Sequence, residues 1–160
     1  MIRIGFGWDF HQLIKKRPLR IGGVHIPFHK GEKAHSDGDV LLHAITDALL
    51  GAAGIADIGE LFPPEDNTWK NASSAYLLQE AWKKVEEKSW RLVNIDAVLI
   101  LEKPKLLEHR ESIRQSIASI LGCEISQIFV KAKTHEKLGP IGRGKGIEAH
   151  VVCLLEKSEA

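Results

Sequence analysis

Residues 35–51 read HSDGDVLLHAITDALLG, and their periodicity decides the fold class. Leu41, Ile45, Ala48 and Leu49 recur at i, i+4, i+7 and i+8, the spacing of one buried helical face. Ser36 or Asp37 is placed to cap the start, and Gly51 is the expected stop. Asp39, His43 and Asp47 follow one another at steps of four, so the reading sets all three on the opposite, polar stripe. A helix with an apolar back and a stripe of carboxylates and imidazole belongs against a sheet, with its polar side on a site.

The flanking sequence supplies that sheet. Ile2–Phe6 is apolar and β-compatible, and Leu19–Ile21 and Val24–Ile26 flank Gly22-Gly23, a two-residue hairpin connection. Downstream, a helix over Ser74–Lys88 buries Leu78, Ala81, Trp82 and Val85, and another buries Ile113, Ile117, Ile120 and Leu121 before Gly122. Ile95–Leu101, Ile128–Ala132 and Ala149–Leu155 are rich in β-branched and apolar residues, as strands require. Three early β pieces followed by αα-β-α-β-β predict an α/β fold (an α+β sandwich), one mixed sheet with helices packed on one face. The 160 residues suit a single domain over 1–160. The other sheet face then calls for a cover, and self-association through the sheet faces is the expected solution.

Composition narrows the function. With 22 Lys and Arg against 21 Asp and Glu, the net charge of +1 gives no field to hold a polyanion, so no nucleic-acid partner is expected. The apolar region Val40–Ile58 is interrupted by His43, Asp47 and Asp57, which argues against a membrane span. The start MIRIGFGWDFH lacks the apolar run of a signal peptide, so a cytoplasmic location is expected. Cys123 and Cys153 read as apolar fillers, and the sequon Asn71-Ala72-Ser73 as a chance match.

Three stretches can carry chemistry. Asp9-Phe10-His11 places an acid and an imidazole on one side of an extended segment, and His43 would complete a two-His, one-carboxylate set with an open position, as catalytic zinc prefers; a surface hydrogen bond is the alternative. His35-Ser36-Asp37-Gly38-Asp39 crowds polar groups before a helix, where phosphate is attracted, although taken alone it reads better as a cap and a turn. Gly139-Pro140-Ile141-Gly142-Arg143-Gly144-Lys145-Gly146 approaches a phosphate loop but ends in Gly where a hydroxyl is needed, and strand follows it. Just before it, Glu136 in Lys133-Thr134-His135-Glu136-Lys137 is a possible ligand for a hard cation, or an ordinary solvated glutamate.

As an ordered set these stretches, with Asp57-Ile58-Gly59, Phe62-Pro63, Pro104-Lys105-Leu106 and Lys131 to Gly139, resemble the 2-C-methyl-D-erythritol 2,4-cyclodiphosphate synthases over essentially the whole chain. The resemblance implies a homotrimer of the non-mevalonate isoprenoid pathway with active sites between subunits. The substrate would be 4-diphosphocytidyl-2-C-methyl-D-erythritol 2-phosphate, closed on itself with loss of CMP, with zinc and magnesium or manganese as cofactors. It also implies roles. Asp9, His11 and His43 would hold zinc, Glu136 the second cation, Thr134 the β-phosphate, and His35 and Ser36 a phosphate near the reacting group, with Phe10 beside them. Asp57, Ile58, Gly59, Phe62, Pro63, Pro64, Glu65 and Asp66 would hold the methylerythritol part. Leu101, Glu102, Lys103, Pro104, Lys105, Leu106 and Leu107, with Lys133, Thr134, His135 and Glu136, would form a cytidine pocket from the neighbouring subunit. Pro140 and Arg143 would lie near the trimer axis.

Four positions depart from the pattern: Lys133 for threonine, Leu101 for alanine, Pro140 for phenylalanine and Lys145 for an acid. The cations Arg143 and Lys145, with Glu148 as their expected acidic partner, would favour an anion or an isoprenoid diphosphate at the axis.

Overall fold

The computed structural model describes residues 1–69 and 72–157, so Asn71 of the sequon lies outside the described residues. In chain order the elements are β1 (Ile2–Lys15), β2 (Leu19–Ile21), β3 (Val24–Ile26), β4 (Lys30–Glu32), α1 (Val40–Ala53), α2 (Ile58–Leu61), α3 (Ser74–Glu87), β5 (Trp90–Ile100), α4 (Arg110–Leu121), β6 (Ile128–Lys133), α5 (Gly139–Gly142) and β7 (Gly146–Lys157). Five strands form one mixed sheet in the order β4-β1-β7-β5-β6, antiparallel except for the β5–β6 pair, while β2 and β3 make the expected hairpin. Helices α1, α3 and α4 pack on one face, as the periodicity requires.

The first strand is longer than its apolar opening indicates. Alternation persists through Trp8-Asp9-Phe10-His11, and pairing with β7 continues to Gln12 opposite Gly146. Two glycines govern how the main helix lies on it. A Cβ on Gly5 would stand 1.9 Å from the Ala48 carbonyl oxygen, and one on Gly7 would stand 1.8 Å from that of Ala44. The helix backbone therefore rests on the strand backbone, which leaves Asp9 and His11 level with the next exposed turn of α1.

The ends of α1 differ from expectation. Its cap is Asp39, with the side chain accepting from Leu42 N, rather than Ser36 or Asp37. It runs through Gly51 and closes at Gly54, which has the left-handed φ of 65° that an ending of this kind needs. Asp39 is fully buried and so leaves the polar stripe, which keeps His43 and Asp47.

On the face away from the helices, Ile4 (72% exposed), Phe6 (62%) and Trp8 (51%) of β1 form an apolar surface with Val152 of β7 and Phe129 of β6. Among the described residues, no helix is long and apolar enough to cross a membrane. Cys153 is buried and Cys123 half-buried, both as free thiols.

Candidate active site and metal centre

The strand β1 and the helix α1 each bring part of the centre. Odd-numbered residues of β1 face the helices, so Asp9 and His11 point the same way, and His43 meets them from α1. Asp9 Oδ2 lies 3.1 Å from His11 Nε2 and 3.1 Å from His43 Nδ1. The two imidazoles meet edge to face with centroids 5.2 Å apart. One donor atom from each of the three residues fits within a 4.8 Å cluster.

The remaining donors are occupied by protein. Phe10 N donates to Asp9 Oδ1 at 2.9 Å, His11 Nδ1 lies 2.7 Å from the Gly38 carbonyl, and His43 Nε2 lies 2.8 Å from Ser74 Oγ. A carbonyl only accepts, so His11 carries its proton on Nδ1 and offers Nε2 toward Asp9. Two imidazoles held from behind and one carboxylate, all converging and none closing the set, fit a divalent cation such as zinc with an open position.

Charge is concentrated here. Burial works against ionisation of Asp9, but hydrogen bonds from His11 and His43 outweigh it and hold the carboxyl well below the usual range. Burial also opposes protonation of His11, yet hydrogen bonds to Asp9 and Glu32 push its pKa up to about 10. Glu32, fully buried 3.7 Å from His11, is pushed up to about 8 mainly by that burial. A cation bound between Asp9, His11 and His43 would displace the extra proton and take over this neutralising role.

The centre opens into a cleft of about 850 Å³, lined also by His35, Ser36, Ile58, Gly59, Phe62 and Pro64. Asp57 caps α2, accepting from Glu60 N at 2.8 Å, and Pro63, Glu65 and Asp66 belong to the same cleft-side segment, with Asp66 N donating to the Pro63 carbonyl. Phe10 goes the other way. Its ring lies on the outer sheet face, where a Cβ on Gly146 would come within 2.7 Å of it, because its even position in the strand reverses its direction.

Asp47, Lys33, Asn67 and Trp69 line the cleft without having been assigned a role from the sequence. Asp47 had a signal, its four-residue step from His43, and it accepts from Ile58 N at 2.7 Å, tying α2 to α1. Trp69 packs edge to face on Phe62 at 4.9 Å, a contact with no spacing to betray it.

The second group of expected residues stands apart. Thr134 Oγ1 donates to Glu136 at 3.0 Å, and Glu102 accepts from the backbone N–H groups of His135 and Lys137 at 3.2 and 3.4 Å. Leu106 and Leu107 line a separate small hollow with Arg110, Lys131 and Ala132, while Leu101 is buried and Lys103 and Lys105 are exposed. Lys133, exposed, ends β6 opposite Ile100. None of residues 101–107 or 133–136 lines the large cleft of the same chain.

The glycine-rich segment folds into the short helix α5 containing Pro140, and strand follows, as expected of a segment that is not a nucleotide phosphate loop. Arg143 and Lys145 are exposed. Within the chain Glu148 instead accepts from Trp8 Nε1 at 2.6 Å and meets His150 Nε2 at 2.8 Å, since its even register directs it to the outer sheet face.

Comparison with known proteins accords with this geometry. The YgbB family profile matches residues 2–156. The chain is 59% identical over 154 residues to the 2-C-methyl-D-erythritol 2,4-cyclodiphosphate synthase of Treponema denticola, covering 96% of each chain. Among solved structures it matches the bifunctional IspDF of Campylobacter jejuni at TM-score 0.95 and 45% identity, over 99% of this chain and 43% of that one. It also matches the CDP complex of IspF from Plasmodium falciparum at TM-score 0.87 and 39% identity, over 99% and 97% of the two chains. With a profile match across nearly all its length and such relatives, the chain belongs to the YgbB family, the 2-C-methyl-D-erythritol 2,4-cyclodiphosphate synthases.

Proposed function

We propose that the chain closes 4-diphosphocytidyl-2-C-methyl-D-erythritol 2-phosphate into 2-C-methyl-D-erythritol 2,4-cyclodiphosphate, releasing CMP, in the non-mevalonate isoprenoid pathway of the cytoplasm. The observation that carries this reading is the convergence of Asp9, His11 and His43 at a cleft whose wall includes His35 and Ser36.

The reaction is intramolecular phosphoryl transfer. The 2-phosphate attacks the β-phosphorus, the bond to the α-phosphate oxygen breaks, and that oxygen leaves as CMP, so no outside nucleophile enters. The barrier comes from folding a polyanion on itself with attacker, phosphorus and leaving oxygen in line, which makes positioning and charge neutralisation the protein's main tasks. Zinc at Asp9, His11 and His43, and magnesium or manganese at Glu136, would supply cationic charge for the phosphates and polarise the phosphorus under attack.

This chain's own residues do the rest. His35 and Ser36 bind phosphate beside the centre, Thr134 orients the β-phosphate through its hydroxyl, and Asp57 to Gly59 with Phe62 to Asp66 hold the methylerythritol part. Leu101 to Leu107 and Lys133 to Glu136 receive the cytidine. These halves lie apart in one chain, and the outer sheet face is apolar, so a homotrimer with each site shared between neighbours is the assembly we propose. Arg143 and Lys145, exposed and repeated about its axis, would attract an anion such as an isoprenoid diphosphate. No nucleic acid or membrane enters this scheme.

Phosphorus NMR of the pure protein with this substrate, zinc and magnesium tests the reading. The expected products are the cyclic diphosphate and CMP; two linear products would mark a phosphohydrolase instead.

A further inference from the structure

Behind His43 the structure contains a buried relay whose hydrogen-bond directions can be deduced. Ser74, the first residue of α3, is 1% exposed. Its Oγ stands 2.8 Å from His43 Nε2 and also hydrogen-bonds Asp37 Oδ1, while its N–H donates to Asp37 Oδ2 at 3.1 Å. Asp39 N reaches Asp37 Oδ1 as well, at 3.4 Å. Among the described residues every hydrogen bond to Asp37 thus comes from a donor, so its two oxygens act as acceptors.

A hydroxyl has one proton. If Ser74 gives it to Asp37, then Ser74 Oγ accepts from His43, and His43 must carry its proton on Nε2. Once a cation takes the place of the proton shared with Asp9, the lone pair of His43 is left on Nδ1, the atom that faces Asp9 Oδ2 at 3.1 Å. The order Ser74–His43–Asp9 resembles a nucleophilic triad. Burial of Ser74 and the donation of its proton to Asp37 exclude that use, since no substrate carbon or phosphorus can reach the oxygen.

We infer that Asp37 and Ser74 are positioning residues that fix the tautomer and ring orientation of His43, and thereby set the metal affinity of the centre. This rests on the proposed metal role of Asp9, His11 and His43. The two elements concerned are distant in sequence, 37 residues apart, so the relay also makes the start of α3 a support of the metal centre rather than a packing element only.

The test is a double-mutant cycle on the full chain with Ser74→Ala, Asp37→Asn and the double variant. Affinities for zinc and for cobalt(II) are measured by chelator competition, the cobalt absorption spectrum is recorded, and the melting temperature of each metal-free protein is taken. Second-sphere losses of this kind typically weaken metal binding by about 10–100-fold. Ser74→Ala is expected to fall in that range with an altered cobalt spectrum and a metal-free melting temperature close to wild type. Asp37→Asn also loses an acceptor at the start of α3, so it should be less stable, yet the double variant should bind metal about as weakly as Ser74→Ala alone, because the two residues act in series. Wild-type affinity and spectrum in Ser74→Ala, or additive losses in the double variant, would overturn the relay. A wild-type chain that takes up neither metal would overturn instead the metal reading beneath it.

Discussion

Asp39 Oδ2 accepts a hydrogen bond from Gly23 N at 2.6 Å, which joins the tip of the β2–β3 hairpin to the cap of α1. Its other oxygen accepts from Gly22 N at 2.9 Å and Leu42 N at 3.1 Å, so one fully buried carboxylate satisfies three backbone donors. Burial pushes its pKa up, and those three donors oppose the push. Asp39→Ala should cost about 3 kcal/mol or more, through a lost cap and orphaned N–H groups. Asp39→Asn keeps one acceptor oxygen and should cost roughly half as much. Urea denaturation of the metal-free proteins measures the difference, and equal losses would show that charge, rather than the number of acceptors, is what matters.

The close seat of α1 on β1 gives opposite outcomes for two glycines. Gly7→Ala drives a Cβ to 1.8 Å from the Ala44 carbonyl oxygen, so the helix must lift, at a cost of about 2–3 kcal/mol, and draw His43 away from Asp9. Gly51→Ala meets nothing within 4 Å inside the same helix and should gain about 0.5–1 kcal/mol from helix propensity. Melting curves should move in opposite directions, and zinc content should fall in Gly7→Ala alone.

Much of this arrangement was legible in the sequence, for reasons tied to particular residues. Leu41, Ile45 and Leu49 announced α1 because burial selects a 3.6-residue period, and Asp9-x-His11 announced two convergent ligands because a strand has a period of two. Asp39 misled, since its four-residue step from His43 suggests one stripe, whereas a cap residue has left the helical path and its direction is set by the donors it finds. Phe10, placed beside the centre only by the resemblance, has its ring on the outer sheet face, as the same period of two requires of the residue between Asp9 and His11. Trp69, Lys33 and the Ser74–Asp37 contact carry no periodic signal, because they arise where segments distant in sequence meet.

Removing one ligand should separate metal binding from folding. His43→Ala leaves β1 and the apolar face of α1 intact, so the metal-free chain should keep its circular dichroism, while loss of one of three donors should strip zinc on dialysis. In the wild type, chelation should lower the melting temperature by mass action, and in His43→Ala it should have little effect. Stoichiometric zinc in the dialysed variant would show that His43 is not a ligand.

The separation of the two halves leads to a quantitative expectation for mixed assemblies. Asp9 lies in the large cleft, whereas Thr134 and Glu136 do not line it within the same chain, so in the proposed assembly a complete site would take the first half from one subunit and the second from its neighbour. Asp9→Ala destroys every first half of its own chains and Thr134→Ala every second half, so each variant alone should be nearly inactive. When the two are unfolded together and refolded at equal amounts, a site draws an intact first half with probability one half and an intact second half with the same probability. Activity should therefore return to roughly one quarter of wild type, as random assortment around a closed ring requires. The variants mixed without unfolding give the control, since subunits that do not exchange should recover nothing. Co-refolded assemblies as inactive as the single variants would mean that one chain supplies the whole site, and Thr134 would then have to reach the cleft by a movement of its own loop.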